Sequence, residues 1–285
     1  VGRTESMVEA LASLFDVQED AQEKLSVGRK LADVLEERLE DYDGAVRVYE
    51  AMVEVESTDI HGLESLDRLY RKLDRPEEII RNCERMIDVQ PERSVELLKR
   101  IGALYLERLE RPEDAAEAYE QALSTDPRNQ ESYELLEATY GAMEDWETLS
   151  DLYERWAMAH TDPIQRGEIC KKQGILQEEA CHDLEAAADA YNQALNANTE
   201  DEEALDAIVR LYGKMGQLEE VVYIYRDIIQ RTSDSGRKAK LLWRTARMHN
   251  DDLSSPEDAI QTLEELLRLV PDDKEGLELY LSLNE

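Results

Sequence analysis

A chain of 285 residues is long enough for one or two compact domains or a single repeat array. Its 42% hydrophobic content excludes wholesale disorder. The 33 basic and 67 acidic residues give a formal charge of −34, which excludes electrostatic attraction to nucleic acid or anionic membranes and favours basic or neutral protein partners.

Gly (12) and Pro (7) are scarce, as expected of a chain built from helix formers. Apolar periodicity then predicts an all-α fold. In chain order the expected helices are 4–15, 19–39, 43–56, 59–73, 76–89, 92–109, 112–124, 129–142, 145–159, 163–181, 184–197, 201–215, 217–231, 235–251, 256–269 and 273–283. No apolar run approaches the roughly 18 residues of a membrane span. The chain opens on Val, without a signal peptide. It is expected to be a fragment, and the cytoplasm is only its default compartment.

The helices repeat. Anchoring on Tyr119 gives equivalent positions at Tyr49, Cys83, Tyr119, Tyr153, Tyr191, Tyr225 and Leu263, spaced 34, 36, 34, 38, 34 and 38 residues apart. A longer period of 70–72 residues overlies this one, so long and short hairpins alternate. The expected organisation is one array over 1–285 with super-repeats at about 18–91, 92–161, 162–233 and an incomplete 234–285. Long hairpins place Ala32, Gly102, Gly174 and Ala246 in the first helix, and Ala45, Ala115, Ala187 and Ala259 in the second. Short hairpins have Asp67, Glu137 and Val209, then Ile79, Leu149 and Val221. These bulkier pairs should hold their helices further apart. Cys83, standing at an anchor position, should be a small buried core residue.

The set Leu98, Ile101, Gly102, Tyr105, Ala115, Tyr119, Ala122 and Pro127 resembles the tetratricopeptide repeat family, in a bacterial-type tandem array. The resemblance implies a right-handed α-solenoid superhelix of about 7.5 helix-turn-helix repeats. It implies that Tyr119 fills the space to the next helix pair and that first helices line a concave groove. It also implies a protein-interaction scaffold or adaptor. Arg29, Arg68, Lys99, Lys171, Arg210 and Arg247 then form an expected ladder of cations on that face, with Trp243 in the slot held elsewhere by lysine. The partner expected there is a protein or peptide with an acidic segment or a C-terminal carboxylate. Two bland readings stand beside these: each cation balances a nearby carboxylate such as Glu96 or Glu168, and Trp243 is packed. The family's carboxylate clamp uses an asparagine that the matching positions here lack. A structural reading, self-association through open repeat ends, is the alternative function. Tyr133, Trp146, Trp156 and Tyr223 are expected to be spacers between helix pairs.

No catalytic chemistry is expected, and no cofactor or metal. His61, His160, His182 and His249 fall in four separate repeats. Cys181-His182-Asp183 has ligand-type residues but reads as a turn. Asp41–Gly44 is too short for a calcium loop. Phosphate-loop, dinucleotide, zinc-protease and nucleophile-elbow motifs are all absent.

Overall fold

The computed structural model describes residues 2–284. Among them are sixteen α-helices and no strand. In chain order they are α1 (Gly2–Val17), α2 (Ala21–Arg38), α3 (Tyr42–Val55), α4 (Ile60–Lys72), α5 (Pro76–Val89), α6 (Ser94–Arg108), α7 (Pro112–Thr125), α8 (Gln130–Met143), α9 (Trp146–Ala159), α10 (Pro163–Glu179), α11 (Leu184–Ala197), α12 (Glu202–Met215), α13 (Leu218–Arg231), α14 (Ser235–Arg247), α15 (Pro256–Leu269) and α16 (Lys274–Leu283). The protein is an all-α helical repeat, as the periodicity predicts. Helix ends fall within two residues of expectation except at the end of α14. A 3₁₀ turn, Pro91–Arg93, precedes α6, and the helix expected to reach 251 passes at Met248 into a π-helical turn ending at Asp252. The chain forms two compact units, 1–144 and 145–285.

Two residue classes begin six of the seven second helices, α13 being the exception. Asp41, Asp145 and Asp183 are N-caps whose carboxylates accept from the backbone N–H groups of Gly44, Thr148 and Ala186. Pro76, Pro112 and Pro256 instead occupy a first helical position, where no N–H is needed. Asp41–Gly44 and Cys181–Asp183 are therefore capping turns.

Each hairpin turn contains one residue in the left-handed region: Glu40, Asp74, Glu110, Glu144, His182, Gly216 and Ser254. Their spacings repeat those of the anchor series. Only one of the seven is glycine, so the others carry a steric cost of about 1–2 kcal/mol that the capping bonds offset. Those bonds separate the hairpin classes. In the short hairpins Arg75 and Gln217 donate to the carbonyls of Tyr70 and Tyr212, five residues back. In the long ones Asp41, Arg111, Asp183 and Ser255 donate six residues back, to Leu35, Tyr105, Gln177 and His249.

In the first unit, the long hairpins α2–α3 and α6–α7 pack more extensively than the short α4–α5; in the second, α10–α11 packs more extensively than α12–α13. The cause is visible at Gly102. A β-carbon there would lie 2.3 Å from Tyr119 Cε1, and one on Gly174 would lie 2.8 Å from Tyr191 Cε2. The rings of Tyr119 and Tyr191 thus lie close against Gly102 and Gly174 of their own hairpins. Tyr119, expected to fill the space to the next helix pair, therefore also packs within its own hairpin. Neighbouring hairpins are joined by a different tyrosine set. Tyr70 donates to Glu50 Oε1 at 2.6 Å, Tyr140 to Glu120 Oε1 at 3.2 Å, and Tyr212 Oη accepts from Asn192 at 3.3 Å.

Candidate interaction surfaces

The first helices place the expected cations as follows. In the first unit Arg29 reaches Asp59 at 3.3 Å, Arg68 on α4 is paired with Glu36 on α2, and Lys99 on α6 is paired with Glu131 on α8. In the second unit Lys171 on α10 contacts Glu168 at 2.9 Å and Asp201 and Glu203 at 3.1 Å. Arg210 on α12 pairs with Glu178 on α10, which also accepts from Lys214 at 3.0 Å. Arg247 pairs within its own helix end, with Asp251 at 3.2 Å. Trp243 is half-buried and packs against the apolar cluster of Leu242, Ala246, Leu263 and Leu266.

The cations therefore lie on the first helices as expected, but each has a carboxylate partner. Four partners, Glu36, Glu131, Glu203 and Glu178, come from the first helix of an adjoining hairpin, 32 residues away; Asp59 and Asp201 are the N-caps of such helices, and Glu168 and Asp251 are local. Of the two same-helix partners considered, Glu168 meets Lys171, while Glu96 meets Arg93 at 3.2 Å. Hydrogen bonding from Arg68 holds the Glu36 carboxyl below the usual carboxylate range. The corresponding bond from Arg210 pushes Glu178 down to about 2. Burial works against the charged form of Lys171, but its bonds to three carboxylates outweigh burial and raise its pKa.

A cleft of about 570 Å³ opens beside α4 in the first unit, lined among others by His61, Glu64, Arg68, Arg71, Met86 and Arg93. Three guanidiniums converge there, with side chains 52%, 60% and 33% exposed for Arg68, Arg71 and Arg93. Beneath them Asp67 is buried, paired with Arg71 and, at 2.5 Å, with Arg100. Asp67 was visible in the sequence only as a departure from the small residue expected at that position; its partners were not.

The other deep clefts lie between successive second helices. One of about 550 Å³ runs between α5 and α7 over α6, and two in the second unit lie between α11 and α13. Sequence reasoning missed this side because it treated the aromatics as spacers. Tyr133 and Trp156 are buried, but Tyr223 is 71% exposed at the lip of the α11–α13 cleft.

Little here suggests catalysis. Burial pushes the Cys83 thiol up to about 11, away from thiolate reactivity at neutral pH. Cys170 is also buried, and its thiol is raised by the same cause. Among the described residues no three His, Cys, Asp or Glu side chains are placed to hold a metal, and no helix is long and apolar enough to cross a membrane. His249 is the one buried histidine; it sits in the π-helical turn, and neither ring nitrogen has a hydrogen-bond partner. Burial, with help from Arg226 on α13 and against Asp258 on α15, lowers its pKa. The neutral ring is therefore the folded form. Its contribution to stability is complete above about pH 6.5 and is lost as pH falls towards the folded-state value, because only the unfolded chain takes up the proton early. We expect the melting temperature to fall between pH 7 and 5 by more in the wild type than in His249→Phe; equal slopes would show the ring is hydrated.

Helix hairpins in tandem, with near-equal spacing, define a helical-repeat scaffold of the kind that binds other proteins. The tetratricopeptide repeat family model matches residues 96–129, the α6–α7 hairpin and its flanks. The α6–α7 hairpin is thus similar to a tetratricopeptide repeat, and the other hairpins repeat its turn and anchor spacing. Comparison with curated proteins finds no match. Solved structures similar to it include MamA, at 18% identity over 72% of this chain and 95% of that chain, with a TM-score of 0.34. A repeat-containing protein from Cytophaga hutchinsonii is similar at 13% identity over 88% and 98% of the two chains, with a TM-score of 0.38. YrrB, described as having an unusual peptide-binding site, is similar at 16% identity over 70% and 98%, with a TM-score of 0.35.

Proposed function

We propose that this chain is a non-enzymatic adaptor that docks an acidic segment of a partner protein, or its C-terminal carboxylate, on the first-helix side of the first unit. The observation that carries this reading is the convergence of Arg68, Arg71 and Arg93 around one open cleft in a chain of net charge −34. Planar guanidiniums take carboxylates two bonds at a time, and these three are already positioned by Glu36, Asp67 and Glu96. An incoming carboxylate would share or replace those partners, so little ordering is left to the binding step. Lys99 extends the surface along the first unit. Lys171, Arg210, Arg247 and Trp243 are the corresponding candidates in the second.

Charge swapping tests this reading without unbalancing the fold. In Arg68→Glu/Glu36→Arg combined with Lys99→Glu/Glu131→Lys, each intramolecular pair survives with its polarity inverted. The reading expects unchanged helicity and melting but loss of capture of an acidic partner. Capture that survives the swap overturns it. The terminal helices expose Met7 and Leu14 on α1 and Leu281 on α16, the surface that self-association would use. Mass that rises with concentration, alike in wild type and swap, would make that alternative the leading one.

A further inference from the structure

The second helices offer a surface of opposite character. In the second unit the clefts between α11 and α13 measure about 370 and 320 Å³ and share Tyr212 and Glu220, so they form one groove. At one end Glu185 and Asp189 of α11 face Glu219 and Glu220 of α13. Among the described residues none of these four carboxylates has a cation within ion-pair distance. Farther along, Tyr223, Ile224 and Leu195 supply an apolar wall.

Tyr223 makes this groove more than an acidic surface. It lies two residues before the anchor Tyr225. The equivalent residues in the other six hairpins are Arg47, Arg81, Glu117, Asp151, Asp189 and Gln261, all exposed and all charged or amide-bearing. The repeat thus prescribes a solvated polar side chain here, and only α13 puts an aromatic ring in its place, 71% exposed. Exposed aromatics at the edge of a cleft are the side chains that most often dominate binding energy, because the ring is rigid and buries a large area on contact.

We propose that the α11–α13 groove binds a basic amphipathic segment of a partner protein, with lysine or arginine against Glu185, Asp189, Glu219 and Glu220 and an apolar side chain against Tyr223 and Ile224. Phosphate-bearing ligands are repelled by the same carboxylates. The site is independent of the first-helix cleft and prefers ligand of the opposite charge.

The probe is a fluorescein-labelled sixteen-residue peptide with a Lys/Arg stripe and a Leu stripe, titrated with the 285-residue chain and read by anisotropy. Tyr223→Ala should weaken binding about tenfold or more, without change in melting because the ring is exposed. Glu185→Gln/Asp189→Asn/Glu219→Gln/Glu220→Gln should weaken it by at least as much and flatten its salt dependence. Glu5→Gln/Glu9→Gln/Asp16→Asn/Glu19→Gln removes the same charge from exposed positions of α1 and the turn after it and should leave affinity within about twofold. A peptide with Glu in place of Lys/Arg should not bind. Absence of binding, full affinity in Tyr223→Ala, or equal loss in the two charge-removal variants would overturn the proposal, the last by showing attraction to net charge alone. The charge swap on α2, α4, α6 and α8 should leave this affinity unchanged, which separates the two surfaces.

Discussion

Gly102→Ala should destabilise the first unit by about 1–2 kcal/mol, against the usual preference of a helix for alanine. Alanine in place of glycine inside a helix is worth up to about 1 kcal/mol. Here the added methyl would meet Tyr119 at 2.3, 2.6 and 2.8 Å, distances no packed side chain tolerates. The ring is 1% exposed, so moving it disturbs packed neighbours. Overpacking of this kind costs about 1–3 kcal/mol, so the steric effect outweighs the propensity gain. Two comparisons isolate the cause. Gly141 lies in the last turn of α8 with nothing within 4 Å of a β-carbon, and Gly141→Ala should be stabilising by up to about 1 kcal/mol. In a double-mutant cycle, Tyr119→Leu should recover part of the Gly102→Ala loss, with at least about 1 kcal/mol of non-additivity. Urea denaturation followed by circular dichroism reads the wild type and all four variants. Equal and additive effects at Gly102 and Gly141 would mean that α6 and α7 are not held by this contact.

The helices and their alternation were legible in the sequence because both depend on local signals. Apolar spacing, N-caps such as Asp41 and Asp183, and Pro112 at a helix start each act within a few residues. The left-handed turn residues were not legible. Glycine marks only Gly216, while Glu40, Asp74, Glu110, Glu144, His182 and Ser254 carry no composition signal and are set by the turn's capping bonds. The candidate surface was half legible. Helical phase put Arg68, Lys99, Lys171 and Arg210 on the first helices, but their partners sit about one repeat away. The 32-residue offset of Glu36 from Arg68, Lys99 from Glu131, Lys171 from Glu203 and Glu178 from Arg210 was in the sequence all along. It becomes a contact only once adjoining first helices are known to lie side by side. Tyr223 was misread for a related reason. Aromatic content suggests packing, and only comparison with the polar residues at its equivalent positions shows the ring facing water.

Removing both arginines from Asp67 should cost the first unit about 3–5 kcal/mol, and Asp67→Asn should return much of it. Asp67 stands where the long hairpins have a glycine or alanine, and Cys83 stands where they have a tyrosine or, once, a leucine. Both are buried, at 4% and 0% exposure. The small thiol leaves open the volume that a ring would fill, and the carboxylate is admitted there only because Arg71 from its own helix and Arg100 from the next hairpin close over it. Arg71→Met/Arg100→Met would strip a buried carboxylate of its counter-charges, and such a group costs far more than a surface pair is worth. Each single variant should cost less than half as much, since the remaining guanidinium still covers the charge. The triple variant with Asp67→Asn asks whether the loss comes from the buried charge or from the arginines' aliphatic contacts: recovery assigns it to charge, and no recovery assigns it to packing. Because Arg71 also lines the first-helix cleft, the triple variant should fold yet bind an acidic partner poorly. The same guanidinium would then be seen stabilising a short hairpin from beneath and recognising a ligand from above, which explains how a hairpin lacking the family's small-residue contact remains in the array.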